Sequence, residues 1–135
     1  MGNGPIAAKH NPFASRDVVG LVEFTFGAEG SNIRNVAIQL QDVKGNDLAV
    51  RASVLVYLSD DAEGDDLTAT AATSIAIGTD GVAILLVAAK AYHVISEVDG
   101  DIDLAVEYTG GAKTWYVNVI MPDGSIITSS ALTFA

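Results

Sequence analysis

The chain contains no cysteine, which excludes thiol nucleophiles, thiolate metal sites and disulfide frameworks together. Charge is scarce as well: charged residues make up 18% of the 135, and only seven are Lys or Arg. With so few cations and a net charge of −10, the chain would repel a phosphate backbone, so nucleic acid is not an expected partner. Long hydrophobic runs are missing too. The longest, Val82 to Ala89, spans eight residues, whereas a membrane helix needs about 20. The opening Met1-Gly2-Asn3-Gly4-Pro5-Ile6 offers no apolar signal region. Ile6 also stands where a myristoylation signal carries Ser or Thr.

Reactive constellations are equally sparse. His10 and His93 are the only histidines. The Gly-x-Ser-x-Gly elbow, zinc-type His spacing and the phosphate-binding glycine loop are all absent from the sequence. Carboxylates are plentiful, so Ca²⁺ is the first metal to test. Asp60, Asp61, Glu63, Asp65 and Asp66 form an acidic loop, and Asp99, Asp101 and Asp103 begin like an EF-hand. The register then fails, with Leu104 where the loop needs Gly and Gly110 where it needs a bidentate Glu. A solvated loop and a solvated strand face account for both groups. No catalytic residue, metal or cofactor is expected, and an enzyme is not the expected class.

What the chain does have is alternation of apolar and polar residues with period two. Val22, Phe24 and Phe26 share one face, as do Val36, Ile38 and Leu40. Val50, Ala52, Val54, Val56 and Leu58 form a third set. Ile102, Leu104, Val106 and Tyr108 form a fourth, opposed by Asp101, Asp103 and Glu107. Trp115, Val117, Val119 and Met121 form a fifth. Trp115 and Tyr116 are neighbours, so one should fill the core and the other reach the surface. The run Val82–Ala89 reads as a buried strand rather than a helix, because the turn Thr79-Asp80-Gly81 precedes it.

Turn signals punctuate these runs: Lys44-Gly45-Asn46-Asp47, Asp80-Gly81, Asp99-Gly100, Gly110-Gly111 and Pro122-Asp123-Gly124. The pattern predicts an all-β fold over residues 18–135, an antiparallel β-sandwich of immunoglobulin-like type or else a small barrel. Residues 1–17, with Pro5 and Pro12 and no periodicity, read as an extended N-terminal arm, either a disordered terminus or a segment that orders against a neighbouring subunit.

Two features point to assembly. Half the residues are hydrophobic, a high share for a lone soluble domain. Leu55 and Tyr57 also lie on the second face of an already apolar strand, so they should meet another sheet or a partner. Ile6 and Phe13 would anchor the arm, with Lys9 and Arg16 giving it a basic character. Residues 1–58 carry five acids and five bases, while 59–135 carry twelve acids and two bases. The neutral half would then meet a partner and the acidic half face solvent.

Several stretches have a familiar wording. They are Leu48-Ala49-Val50-Arg51-Ala52-Ser53, Tyr57-Leu58-Ser59-Asp60-Asp61, Ile77-Gly78-Thr79-Asp80-Gly81, Ser96-Glu97-Val98-Asp99-Gly100-Asp101-Ile102-Asp103, and Trp115-Tyr116-Val117 through Met121-Pro122-Asp123-Gly124. Over roughly residues 31–135 the chain resembles immunoglobulin-like decoration (cement) or head proteins of tailed bacteriophages. The resemblance implies a virion protein made in the host cytoplasm and bound to the outer capsid surface. Its partners would be the major capsid protein and neighbouring copies of itself, as a homotrimer. The alternative is a tail or fibre module that binds host glycan or another virion protein, with Trp115 or Tyr116 stacking on a sugar.

Overall fold

The computed structural model describes residues 18–135. Ile6, Lys9, His10, Phe13 and Arg16, and with them the expected arm, lie outside the described residues. The described chain forms nine strands and no helix: β1 (Leu21–Phe26), β2 (Ile33–Gln41), β3 (Ser53–Ser59), β4 (Ser74–Ile77), β5 (Val82–Val87), β6 (Ala91–Ile95), β7 (Asp101–Glu107), β8 (Lys113–Ile120) and β9 (Ile126–Phe134). They make two antiparallel sheets, ordered β1-β2-β7-β4 and β5-β6-β3-β8-β9.

The alternation explains how the sheets close on each other. In the four-stranded sheet Val36 pairs with Leu104 and Ile38 with Ile102, and all four are buried. In the five-stranded sheet Val54 pairs with Val94 and Val56 with Val119, again all buried. Trp115 is wholly buried, in edge-to-face contact with Tyr108 at 4.9 Å and Phe134 at 5.8 Å between ring centroids. Its indole N–H donates to Thr68 Oγ1 at 3.0 Å, which satisfies the one polar atom that burial would otherwise strand.

Each glycine-bearing turn picked out in the sequence holds a residue with positive φ: Gly45, Gly81, Gly100, Gly111 and Gly124. At Gly100 (φ +78°) the need is double, since a Cβ there would stand 2.6 Å from the Leu40 carbonyl oxygen.

Three local readings change. The alternation counted from Val50, but the ladder of β3 starts at Ser53, and Val50 and Arg51 are exposed. β4 lies outside the alternating sets; its four residues, Ser74 to Ile77, pair with β7 and run into the Thr79-Asp80-Gly81 turn. β5 is a strand as expected but it is not buried. Leu85 is 57% exposed, because the five-stranded sheet is one strand wider than its partner and β5 is its edge.

Candidate functional site

The outer faces of the two sheets are chemically opposite. On the four-stranded sheet the outward positions include Glu23, Gln39 and Asp101 in one cross-strand row, then Thr25, Ala37 and Asp103, then Ile33, Glu107 and Ser74. No strand position on that face is Lys or Arg. Antiparallel partners share a face, so the five-stranded sheet can be read the same way. Ile84 pairs with His93, His93 with Leu55, Leu55 with Ile120 and Ile120 with Ile126. One row of four aliphatic side chains and an imidazole therefore crosses all five strands. Ile84 is 49% exposed, Leu55 36% and Ile126 44%. Val82 pairs with Ile95 beside this row and extends the apolar surface.

At the foot of the row the surface dips into an open groove of about 490 Å³. Leu55, His93 and Ile120 of the row help to line it, together with Val19, Ser53 and the charged Arg51. His93 has aliphatic cross-strand neighbours on both adjacent strands, Ile84 and Leu55.

The acidic loop closes the opposite end of the same face. Tyr57 pairs with Asn118 two residues along from the Leu55 row, and its hydroxyl donates to the Gly64 carbonyl. Burial and the nearby charges of Asp65 and Asp61 push the Tyr57 phenol upward. Asn118 is wholly buried. Its amide donates to Tyr57 O, Ser59 Oγ and Tyr116 O, while its oxygen accepts from Thr128 Oγ1 at 2.7 Å. Gly64 has φ +69° and packs on that amide, so an added Cβ would overlap it.

Asp60 anchors the start of the loop. Its carboxylate accepts from Thr68 Oγ1 (2.7 Å) and Ala69 N (3.1 Å), and Lys113 Nζ lies 3.0 Å away. The Thr68 hydroxyl and the Ala69 amide, with the Lys113 ammonium, hold this carboxyl down at about 2. Oxygens of Asp61, Asp65 and Asp66 lie within 4.8 Å of one another. The Asp61 carboxylate accepts from Gly64 N at 2.9 Å, so it serves the turn itself. The hydrogen bond with Asp61 and its charge raise Asp65.

The expected site residues are thus divided. Leu55 lies at the centre of the exposed row; no second sheet covers it among the described residues. Tyr57 is half-buried under the loop, so it borders the row without extending it. Trp115 is unavailable to a sugar, and of the adjacent pair only Tyr116 lies on the outer face. The expected split between a neutral first half and an acidic second half is replaced by a split between sheets. β7 from the acidic half and β2 from the neutral half share one face. Sequence reasoning missed the participation of Ile84, Ile120 and Ile126. Their signal was an aliphatic residue at the polar phase of each strand, but joining them required the strand order.

No family model matches the chain, and no curated protein or solved structure matches it either.

Proposed function

We propose that this chain is a non-enzymatic virion structural protein. In this reading it decorates the outer surface of a tailed-phage head, binds the major capsid protein and neighbouring copies of itself, and stabilises the shell. One observation carries the reading: a row of four aliphatic side chains and one imidazole crosses one outer face, while the other outer face is acidic and lacks a lysine or arginine among its strand positions. A protein that coats a larger body needs one face to dock and one to keep the coated particle soluble. Many copies on one shell make a modest contact sufficient.

The immunoglobulin-like reading has support in the strand order. β1-β2-β7-β4 takes the place of strands A-B-E-D, and β3-β8-β9 that of C-F-G. The hairpin of β5 and β6 extends the second sheet beside β3, where variable-type domains add two strands. It follows β4 in the chain rather than preceding it, and no cysteine pair joins the sheets. The arm over residues 1–17 belongs to the same proposal, as a second attachment to the shell.

The test is co-sedimentation of the purified chain with phage shells that lack it. Saturable binding at a defined copy number is expected. A chain that stays in the supernatant at every concentration would remove the head role.

A further inference from the structure

The row across the five-stranded sheet holds one side chain that can change its charge near neutral pH. β5, β6, β3, β8 and β9 contain no Asp or Glu, and His93 and Lys113 are their only basic residues. Lys113 shares the inward phase of Trp115 on β8, and its ammonium lies 3.0 Å from Asp60. His93 is half-buried inside the row. Ile84 of β5 and Leu55 of β3 flank it as cross-strand partners. Its diagonal neighbours are Val82 on β5 and Ser53 and Tyr57 on β3, with Ala91 and Ile95 two positions away on β6 itself.

The charges around this spot give an imidazolium no counterion. Arg51 lines the same groove as His93 and is itself a cation. Glu97, just beyond β6, is already engaged. One of its oxygens lies 3.6 Å from Arg51 Nη2, and the other accepts from Gly81 N at 3.0 Å. Beyond Tyr57, the Asp60 carboxylate is taken by Thr68, Ala69 and Lys113, and the Asp61 carboxylate by Gly64 N. Asp65 shares its hydrogen bond with Asp61. The Tyr57 hydroxyl turns to the Gly64 carbonyl, and burial pushes that phenol further above neutral pH. A neutral imidazole suits an apolar contact. A covered imidazolium would be a buried, unpaired charge, which is costly.

On the reading that this face docks on the shell, we propose that His93 makes the docking pH-dependent, holding the chain near neutral pH and releasing it in mild acid. Imidazole is the side chain whose ordinary titration falls between pH 5 and 8. A proton taken up there sets a charge between Ile84 and Leu55, where contact strips water away. The free chain can bind that proton and the docked chain excludes it, so affinity falls as pH falls. Above the imidazole's range the row is uncharged and the affinity is level.

The test is co-sedimentation of the full chain with shells that lack it, at pH 8 and pH 5.5, for the native protein and three variants. Native chain should bind about tenfold more weakly at pH 5.5, since the neutral fraction of an ordinary imidazole falls to about a tenth. His93→Gln, which stays neutral, and His93→Leu, which continues the aliphatic row, should each bind equally at both values. His93→Lys, charged throughout, should bind weakly at both, with the circular dichroism of the native chain. Native binding that is equal at the two pH values would overturn the proposed switch and leave the docking reading standing. A pH dependence kept by the folded neutral variants would put the titrating group elsewhere and overturn it as well. A native chain that ignores shells even at pH 8 would remove the docking reading, and the switch with it.

Discussion

The two outer faces of this molecule are built from the same kind of strand and end in opposite chemistry. β7 and β3 both bury every second residue: Ile102, Leu104 and Val106 in one, Val54, Val56 and Leu58 in the other. Between those buried positions β7 places Asp101, Asp103 and Glu107, while β3 places Ser53, Leu55 and Tyr57. Folding requires only the first set. The second set is free to vary, and there the molecule has separated charge from hydrocarbon by sheet. An aliphatic residue at a free position contributes little to folding, so its presence in one row across five strands points to contact with something else.

The largest effect that sharpens this contrast comes from one strand. Leu58→Ala, on the core side of β3, should cost about 2–5 kcal/mol in denaturant unfolding. Leu55→Ala, three residues earlier on the outer side, should cost less than about 1 kcal/mol. Equal costs would mean that Leu55 is part of the fold and not of a docking face. Next in size is Gly64→Ala, which forces a left-handed backbone onto alanine and drives a Cβ into the Asn118 amide. A loss of about 1–3 kcal/mol is expected, with the loop lifted from Tyr57 and greater binding of an apolar dye.

Acid separates the faces in a third way. The Asp60 carboxyl ionises at about 2 in the folded chain, against about 3.9 when unfolded. Its stabilisation is complete above the unfolded value and is lost as pH falls from about 4 to about 2. Asp60→Asn should therefore lower stability at neutral pH and flatten that acid limb. Asp101 is shifted the other way, by burial first and then by Asp80. Its ionised form opposes folding at neutral pH, so Asp101→Asn should raise the thermal midpoint slightly. A fall would show that its charge is used.

Much of this architecture is legible in the alternation. The core residues of β2, β7 and β8 are those whose phase predicts burial, because period two assigns each side chain to a face before any partner is known. The turns picked out in the sequence are legible for a similar local reason, as a glycine takes the positive φ in each, whereas Ser31, Asn32 and Ala89 turn positive with no glycine to mark them. β4 is not, since Ser74-Ile75-Ala76-Ile77 is too short and too bland to stand out from the loop before it. The exposure of β5 escapes for a different reason. An unbroken apolar run predicts burial, and only the unequal widths of the two sheets leave this one uncovered. The contact row was half visible: Leu55 stood out on its strand, but a face spanning five strands depends on pairings between residues as distant as Leu55 and Ile120.

The apolar face is proposed to dock on the shell and the acidic face to remain in solvent. The direct measurement is co-sedimentation of Leu55→Glu and Asp103→Lys with shells, side by side with the native chain. Leu55→Glu should stay in the supernatant while Asp103→Lys saturates the shells at the native copy number. Native binding by Leu55→Glu, or loss of binding by a folded Asp103→Lys, would contradict that proposal.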